Sequence, residues 1–425
     1  MSRASRSLRL PLLTILAGGV IAGIGLVAAT RAGGAPSADP AAAAVAAPAP
    51  ADAGSLTADP ELAAYVEAAR RAELRGDPLL RCLTYPDWPG ASWPTGLAAA
   101  HCHHAFDPVP SLAEVAAALA TADLVTLDAR YAELLARHHD EEHSESIHVA
   151  LARFDASADA ATVSAQWLEL APDSGWALLA RASHLHAVAM AALAAGGEPL
   201  APDQRALVAA HAAAAADAFR QALAIDPNLL PAQVGLAELA LALGDDAGTD
   251  AALVAGEAID PACLPLVRAR LARLSPRHGG TYDSAHAHLA QLRAAHPQRV
   301  LLALAGADEA IEAGRTMLRH ERFDEAQLAL RPALAGSTAP EAFEDAALAT
   351  VRASRPDHAS ALGLLLAAAR FQPGRTNVRE LRARLLMAAG ERTWALDILD
   401  DAPGTPAGPL LAQSGGRRTT EPVAR

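Results

Sequence analysis

AFRQALAIDPNLLP (218–231) and VAGEAIDPACLP (254–265) decide the fold. Asp226-Pro227 returns as Asp260-Pro261 and Pro231 returns as Pro265, each 34 residues later. Ala224, Ile225 and Leu230 return as Ala258, Ile259 and Leu264. A self-match at that period marks stacked helix–turn–helix units, each burying one face on its neighbour. Ahead of the first turn, Phe219, Ala222 and Leu223 fall at i, i+3 and i+4, the spacing of one helix face.

Looser copies lie further out. Pro297 follows Pro261 by 36 residues. RHERFDEAQLALRPAL (319–334) reads as the second helix of a unit, and AARFQPG (368–374) with MAAGERTWALDIL (387–399) reads as one more. Composition agrees. Of 425 residues, 52% are apolar but only 4% are aromatic, and the excess is alanine and leucine. Those are strong helix formers, while strand formers are scarce. The expectation is an all-α chain, an α-solenoid of antiparallel helix pairs over 201–402.

Upstream, Asp59-Pro60 supplies a helix cap and a first-turn proline. Residues 77–110 then break the helical texture: RCLTYPDWPGASWPTGL (81–97) packs prolines and two tryptophans into an irregular stretch. Trp88 and Trp93 need something to pack on, so this reads as an ordered loop or lid rather than a linker. Ser111-Leu112-Ala113-Glu114 has capping-box spacing and restarts helix. Helical runs are expected near 111–121, 123–138, 143–154, 158–171 and 174–195. Together, 57–200 form an N-terminal helical region ahead of the repeats. The Gly/Pro/Thr/Arg-rich 403–425 reads as a disordered tail.

Residues 10–30 (LPLLTILAGGVIAGIGLVAAT) carry no charge and are long enough to cross roughly 30 Å of hydrocarbon. Arg3, Arg6 and Arg9 precede them, which holds the N-terminus in the cytoplasm. Residues 1–31 therefore read as a signal anchor in the inner membrane, with a cleaved signal peptide as the alternative. Either exports the bulk of the chain to the periplasm. The Ala/Pro-rich 32–56 read as a tether.

Charge and residue usage narrow the function. All 35 basic residues are arginine. A chain without lysine has no phosphate-binding P-loop and no Schiff base. The net charge is −13, and the four arginines of residues 1–31 leave −17 for the rest. That balance argues against nucleic acid as a partner.

Residues 213–265, with small residues inside and Asp-Pro closing each second helix, resemble tetratricopeptide repeats. Over roughly 120–295, LDARYAELLARH, WLELAPDSGWALLARASHLHAVAM, AFRQALAIDP and LSPRHGGTYDS follow in the order seen in an uncharacterised bacterial domain-of-unknown-function family. His278 stands where that family's Pro-Arg-x-Gly-Gly step carries tryptophan. The resemblance implies a tetratricopeptide-like helical fold and brings no activity or catalytic residue.

Four constellations bear chemistry. Cys82 and Cys102 flank the proline/tryptophan stretch and, in an exported chain, are expected to form a disulfide. Cys263, in a repeat turn, reads as a small buried apolar residue. His101, His103 and His104 surround Cys102 and offer zinc or copper ligands, at the cost of competing with that disulfide. His139, Glu142 and His143 match His-x-x-Glu-His, in which two histidines bind zinc and the glutamate activates water. Trp176, His184, His186, His278, Tyr282 and Asp283 are candidates to line a groove for a partner. The reading that results is a non-catalytic envelope scaffold, without cofactor, binding a protein or peptide. A zinc hydrolase built on the His139 segment and a metal binder built on the His101 cluster are the alternatives.

Overall fold

The computed structural model describes residues 59–139, 145–195 and 200–400. The anchor, the tether, the tail and the side chains of His139, Glu142 and His143 lie outside the described residues.

Among these residues there is helix and no strand. In chain order the α-helices are α1 (Pro60–Glu73), α2 (Pro78–Thr84), α3 (Leu97–Phe106), α4 (Leu112–Ala120), α5 (Leu124–Ala136), α6 (Ser146–Leu151), α7 (Ala158–Leu170), α8 (Gly175–Ala195), α9 (Pro202–Ile225) and α10 (Leu230–Leu243). Then come α11 (Asp246–Ile259), α12 (Leu264–Leu274), α13 (Tyr282–Ala295), α14 (Leu302–Ala305), α15 (Asp308–Arg319), α16 (Phe323–Gly336), α17 (Pro340–Arg352), α18 (His358–Phe371), α19 (Thr376–Ala388) and α20 (Arg392–Asp400).

One device recurs at the helix ends. α7, α9, α11, α13 and α18 each stop one residue before an X-Pro step: Ala171-Pro172, Asp226-Pro227, Asp260-Pro261, His296-Pro297 and Gln372-Pro373. A proline pushes the preceding residue out of the α region. The five cap residues accordingly sit at φ between −127° and −147°. In both matched turns the aspartate then folds back on the chain. Asn228 N–H donates to Asp226 Oδ1 and Ala262 N–H to Asp260 Oδ1, each at 2.9 Å. Pro231 and Pro265 open the next helices within their first turn, where a missing N–H costs nothing.

The chain divides into two compact units. The central unit spans Phe106–Ala305 and packs consecutive helices in pairs, α8 on α9, α10 on α11 and α12 on α13. Trp167, Tyr131, Phe154 and Leu179 fill its larger core, and Leu230, Leu253 and Leu266 fill a second. α8 is the described helix long and apolar enough to cross a membrane, but half of that window is buried inside this unit, as in a core helix.

The terminal unit joins the described residues 59–105 with 306–400. Here α17 packs on α18 and α19 on α20, while α1 packs against α18. The proline/tryptophan stretch is less irregular than expected. Asp77 caps α2 through Leu80 N–H at 2.6 Å, with Pro78 in the first turn, and only the segment between α2 and α3 is loop. Trp88 meets the ring edges of Tyr65 (5.5 Å) and Phe343 (6.3 Å), and Trp93 those of Phe343 (6.1 Å) and Phe371 (6.4 Å). Cys82 and Cys102 are joined by a disulfide with Cα atoms 5.6 Å apart, tying α2 to α3.

The Pro-Arg-His-Gly-Gly step between α12 and α13 is a short 3-10 turn over Pro276–His278. Gly279 has φ +81°, and a Cβ on Gly280 would overlap the Leu274 carbonyl. Both glycines are therefore demanded by the backbone. The loop is tied down by Arg273, which donates to the His278 carbonyl at 2.9 Å and to Asp250 at 3.1 Å.

Candidate metal centre and loop cleft

In the central unit, four side chains of metal-ligand type converge. His138, Glu145, His148 and Cys263 each offer one donor atom, and all four atoms lie within 4.8 Å of one another. Their placement follows from local structure. α5 ends at Ala136, and a 3-10 turn over Arg137–His139 carries His138 inward, where it is 1% exposed. Glu145 sits at the start of α6 and His148 one turn later on the same helix, so the i, i+3 spacing puts both on one face. Cys263 caps the N-terminus of α12 at the end of the second matched turn. Its Sγ lies 3.5 Å from His148 Nε2, which is also 3.9 Å from Glu145 Oε2.

A second layer surrounds these four. His138 Nε2 lies 2.8 Å from Asp260 Oδ2, and Arg299 is ion-paired to the same oxygen. Arg299 also donates to the His138 carbonyl at 2.9 Å. Leu264 N–H, at the start of α12, donates to Glu145 Oε1 at 2.9 Å. Glu145 Oε2 is buried and, among the described residues, receives no hydrogen bond.

The electrostatics follow from burial and pairing. Burial raises the Glu145 carboxyl to about 7, against the opposing pull of His138, the Leu264 N–H and Arg299. Burial likewise pushes the Cys263 thiol well up. Burial also opposes ionisation of Asp260, but its bond to His138 and the Arg299 charge win, and it falls to about 2. Chemically, the cluster offers two imidazoles, one thiol and one carboxyl, held by an Asp–Arg pair.

The structure treats the expected residues differently. His101 is 6% exposed, stacks on Phe371 at 4.3 Å and lies 2.8 Å from Thr338 Oγ1 through Nδ1. Cys102 is in the disulfide and has no thiolate to give. His103 and His104 follow on α3, half-buried. Among the described residues, the group that could share an ion is the His138 cluster and not the His101 one. The helical run expected near 123–138 is α5, which ends at Ala136 and passes into the 3-10 turn that carries His138.

The six groove candidates are not brought to one surface. His184 is buried with Nδ1 2.6 Å from the Asp155 carbonyl, and His186 is buried 3.7 Å from Glu238. Burial lowers His186 to about 4. Trp176 packs at 6.0 Å from Tyr131, half-buried. These three are packing residues, because their faces of α8 are covered by the unit's own core. His278 stands in the turn before α13, and Tyr282 and Asp283 are exposed in the first turn of that helix.

Sequence reasoning gives no place in a site to His138, Glu145, His148 or Arg299, reads Asp260 only as a repeat turn residue, and reads Cys263 as apolar filling. One signal is present: Glu145-Ser146-Ile147-His148 is a Glu-x-x-His step, a ligand spacing of helical metal sites. The more conspicuous His/Glu run just before it masks that step.

The terminal unit holds a different feature. An open cleft of about 610 Å³ is walled by the loop between α2 and α3 and lined by Tyr85, Asp87, Ser92, Trp93, Thr95 and Arg370. Arg370 is buried and braces the loop through the carbonyls of Cys82 (3.0 Å) and Pro86 (3.3 Å) and the Asp87 carboxylate (2.7 Å). Trp93 Nε1 donates to the Leu334 carbonyl at 3.1 Å, and Ser92 N–H to that of Ala335 at 2.8 Å. No protein-family model and no curated protein matches the chain.

Proposed function

We propose that this chain is a tetratricopeptide-like scaffold of the bacterial envelope, held at the inner membrane by residues 10–30, that binds a protein or peptide partner and performs no catalysis. The observation that carries the reading is the braced cleft of the terminal unit. Its wall is a loop fixed by a disulfide, by three bonds from Arg370 and by three to α16. A surface ordered before binding pays less entropy when a partner docks. Ser92, Asp87 and Thr95 stand beside a half-buried tryptophan, the mixture of polar rim and aromatic anchor that partner sites use. The paired helices of both units support the repeat reading, since stacked pairs are the architecture in which such surfaces are built.

The test is site-specific photocrosslinking in intact cells. A photoreactive residue at Thr95 should capture a defined, saturable partner, and the same residue at the exposed Val125 of the central unit should not. Equal labelling at both positions, or none at Thr95, overturns the reading.

A further inference from the structure

We propose that His138, Glu145, His148 and Cys263 bind a single structural zinc ion in the central unit. Geometry comes first. Zinc holds nitrogen and oxygen at about 2.0–2.2 Å and thiolate at about 2.3 Å in a tetrahedron, which puts neighbouring ligand atoms about 3.3–3.6 Å apart. Cys263 Sγ and His148 Nε2 are 3.5 Å apart, His148 Nε2 and Glu145 Oε2 are 3.9 Å apart, and no pair among the four exceeds 4.8 Å. Closing that set onto an ion takes shifts of about an ångström or less. The ligands come from two segments, the 137–148 stretch and the Cys263 turn.

The ligand chemistry selects the metal class. Two imidazoles and a thiolate suit zinc and its neighbours and not calcium or magnesium. A thiolate and a carboxylate cancel the two charges of the ion, which a buried site requires. Glu145 Oε2, buried without a donor, is the kind of atom an ion satisfies.

Asp260 supplies what a metal-bound histidine ordinarily has. Its Oδ2 faces His138 Nε2 at 2.8 Å, so ligation through the other ring nitrogen completes a carboxylate–histidine–metal relay. Arg299 and the Ala262 N–H hold that carboxylate in turn. Four protein ligands with His148 the most exposed, at 13% of its side chain, leave no position for water or substrate. The site is therefore closed and structural, and it is distinct from a zinc site at His101–His104.

The experiment uses the full chain, purified without a polyhistidine tag, stripped by chelator and titrated with Co²⁺ and then Zn²⁺. One equivalent of Co²⁺ should bind with intense tetrahedral d–d bands and a thiolate-to-cobalt charge-transfer band, and Zn²⁺ should bleach both. Cys263→Ser should remove the charge-transfer band, and Asp260→Asn should weaken Zn²⁺ binding about 10–100-fold. Circular dichroism checks that each variant folds, and the wild-type spectrum needs no variant. Octahedral, weakly absorbing Co²⁺, or no binding, overturns the proposal. So does binding that survives Cys263→Ser with its charge-transfer band intact, or that disappears with His103→Gln and His104→Gln. Because the readout is metal alone, its failure leaves the partner reading of the cleft standing.

Discussion

Glu73 in the terminal unit and Glu145 in the central unit are both carboxyls drawn away from solvent, Glu73 partly and Glu145 almost wholly, and they behave oppositely. Burial pushes both carboxyls toward the neutral form. Glu73 escapes because its oxygens are fully engaged. Oε1 accepts from Tyr85 at 2.7 Å and is ion-paired to buried Arg382, and Oε2 accepts from Trp394 at 2.8 Å. Its pKa ends below the ordinary carboxylate value. Glu145 has one N–H on Oε1 and no donor on Oε2, and it ends at about 7. One carboxylate closes a structure that is complete, joining α1, the end of α2, α19 and α20. The other is completed by a ligand. Whether a buried acid is structural or functional is thus decided by its count of partners and not by its burial.

The contrast is open to attack first at Glu73. Glu73→Gln strands the Arg382 charge and should destabilise the terminal unit by about 3–5 kcal/mol, read as lost hydrogen-exchange protection in α1 and α19. The effect has a pH signature. The folded value of Glu73 is lowered, so its contribution is fully present above the unfolded carboxylate value of about 4.3 and is lost as pH falls through the folded value. The gap between wild type and Glu73→Gln should shrink below about pH 4. A gap that stays constant into stronger acid would show that the ionised carboxylate is not its source.

The disulfide comes next. It closes a loop of sequence separation 20 in the same unit. Replacing Cys82 and Cys102 with serine should cost about 3 kcal/mol, again read by exchange in that unit. Protection lost equally in α10 and α12 would mean that the two units are not separate compact bodies.

The smallest effect sharpens the comparison most. Glu145→Gln keeps an oxygen for the Leu264 N–H and removes no satisfied charge, so the metal-free protein should lose less than about 1 kcal/mol. A loss as large as that of Glu73→Gln would make Glu145 a structural acid and dissolve the distinction between the regions.

Much of this architecture is legible in the sequence. Helix stops at X-Pro steps, the proline openings after each matched turn and the cap at Asp59 are local rules acting over a few residues. The cysteine pair is legible because its spacing and its proline-rich surroundings are local as well. The groove candidates are not, because facing is settled by what packs on a helix: α8 lies among core residues of its own unit, so His184 and His186 turn inward.

The two matched aspartates show where the division falls. By itself the sequence determined that Asp226 and Asp260 would each end a helix, fold back on the chain and start another, because proline sterics and a two-residue reach suffice for that. Only the tertiary structure decided that Asp226 would stay half-exposed at its turn while Asp260 would be buried against His138 and Arg299, partners 122 and 39 residues away in the chain. Contacts at that separation depend on how helices stack, and stacking is a property of whole faces rather than of any stretch that can be read alone.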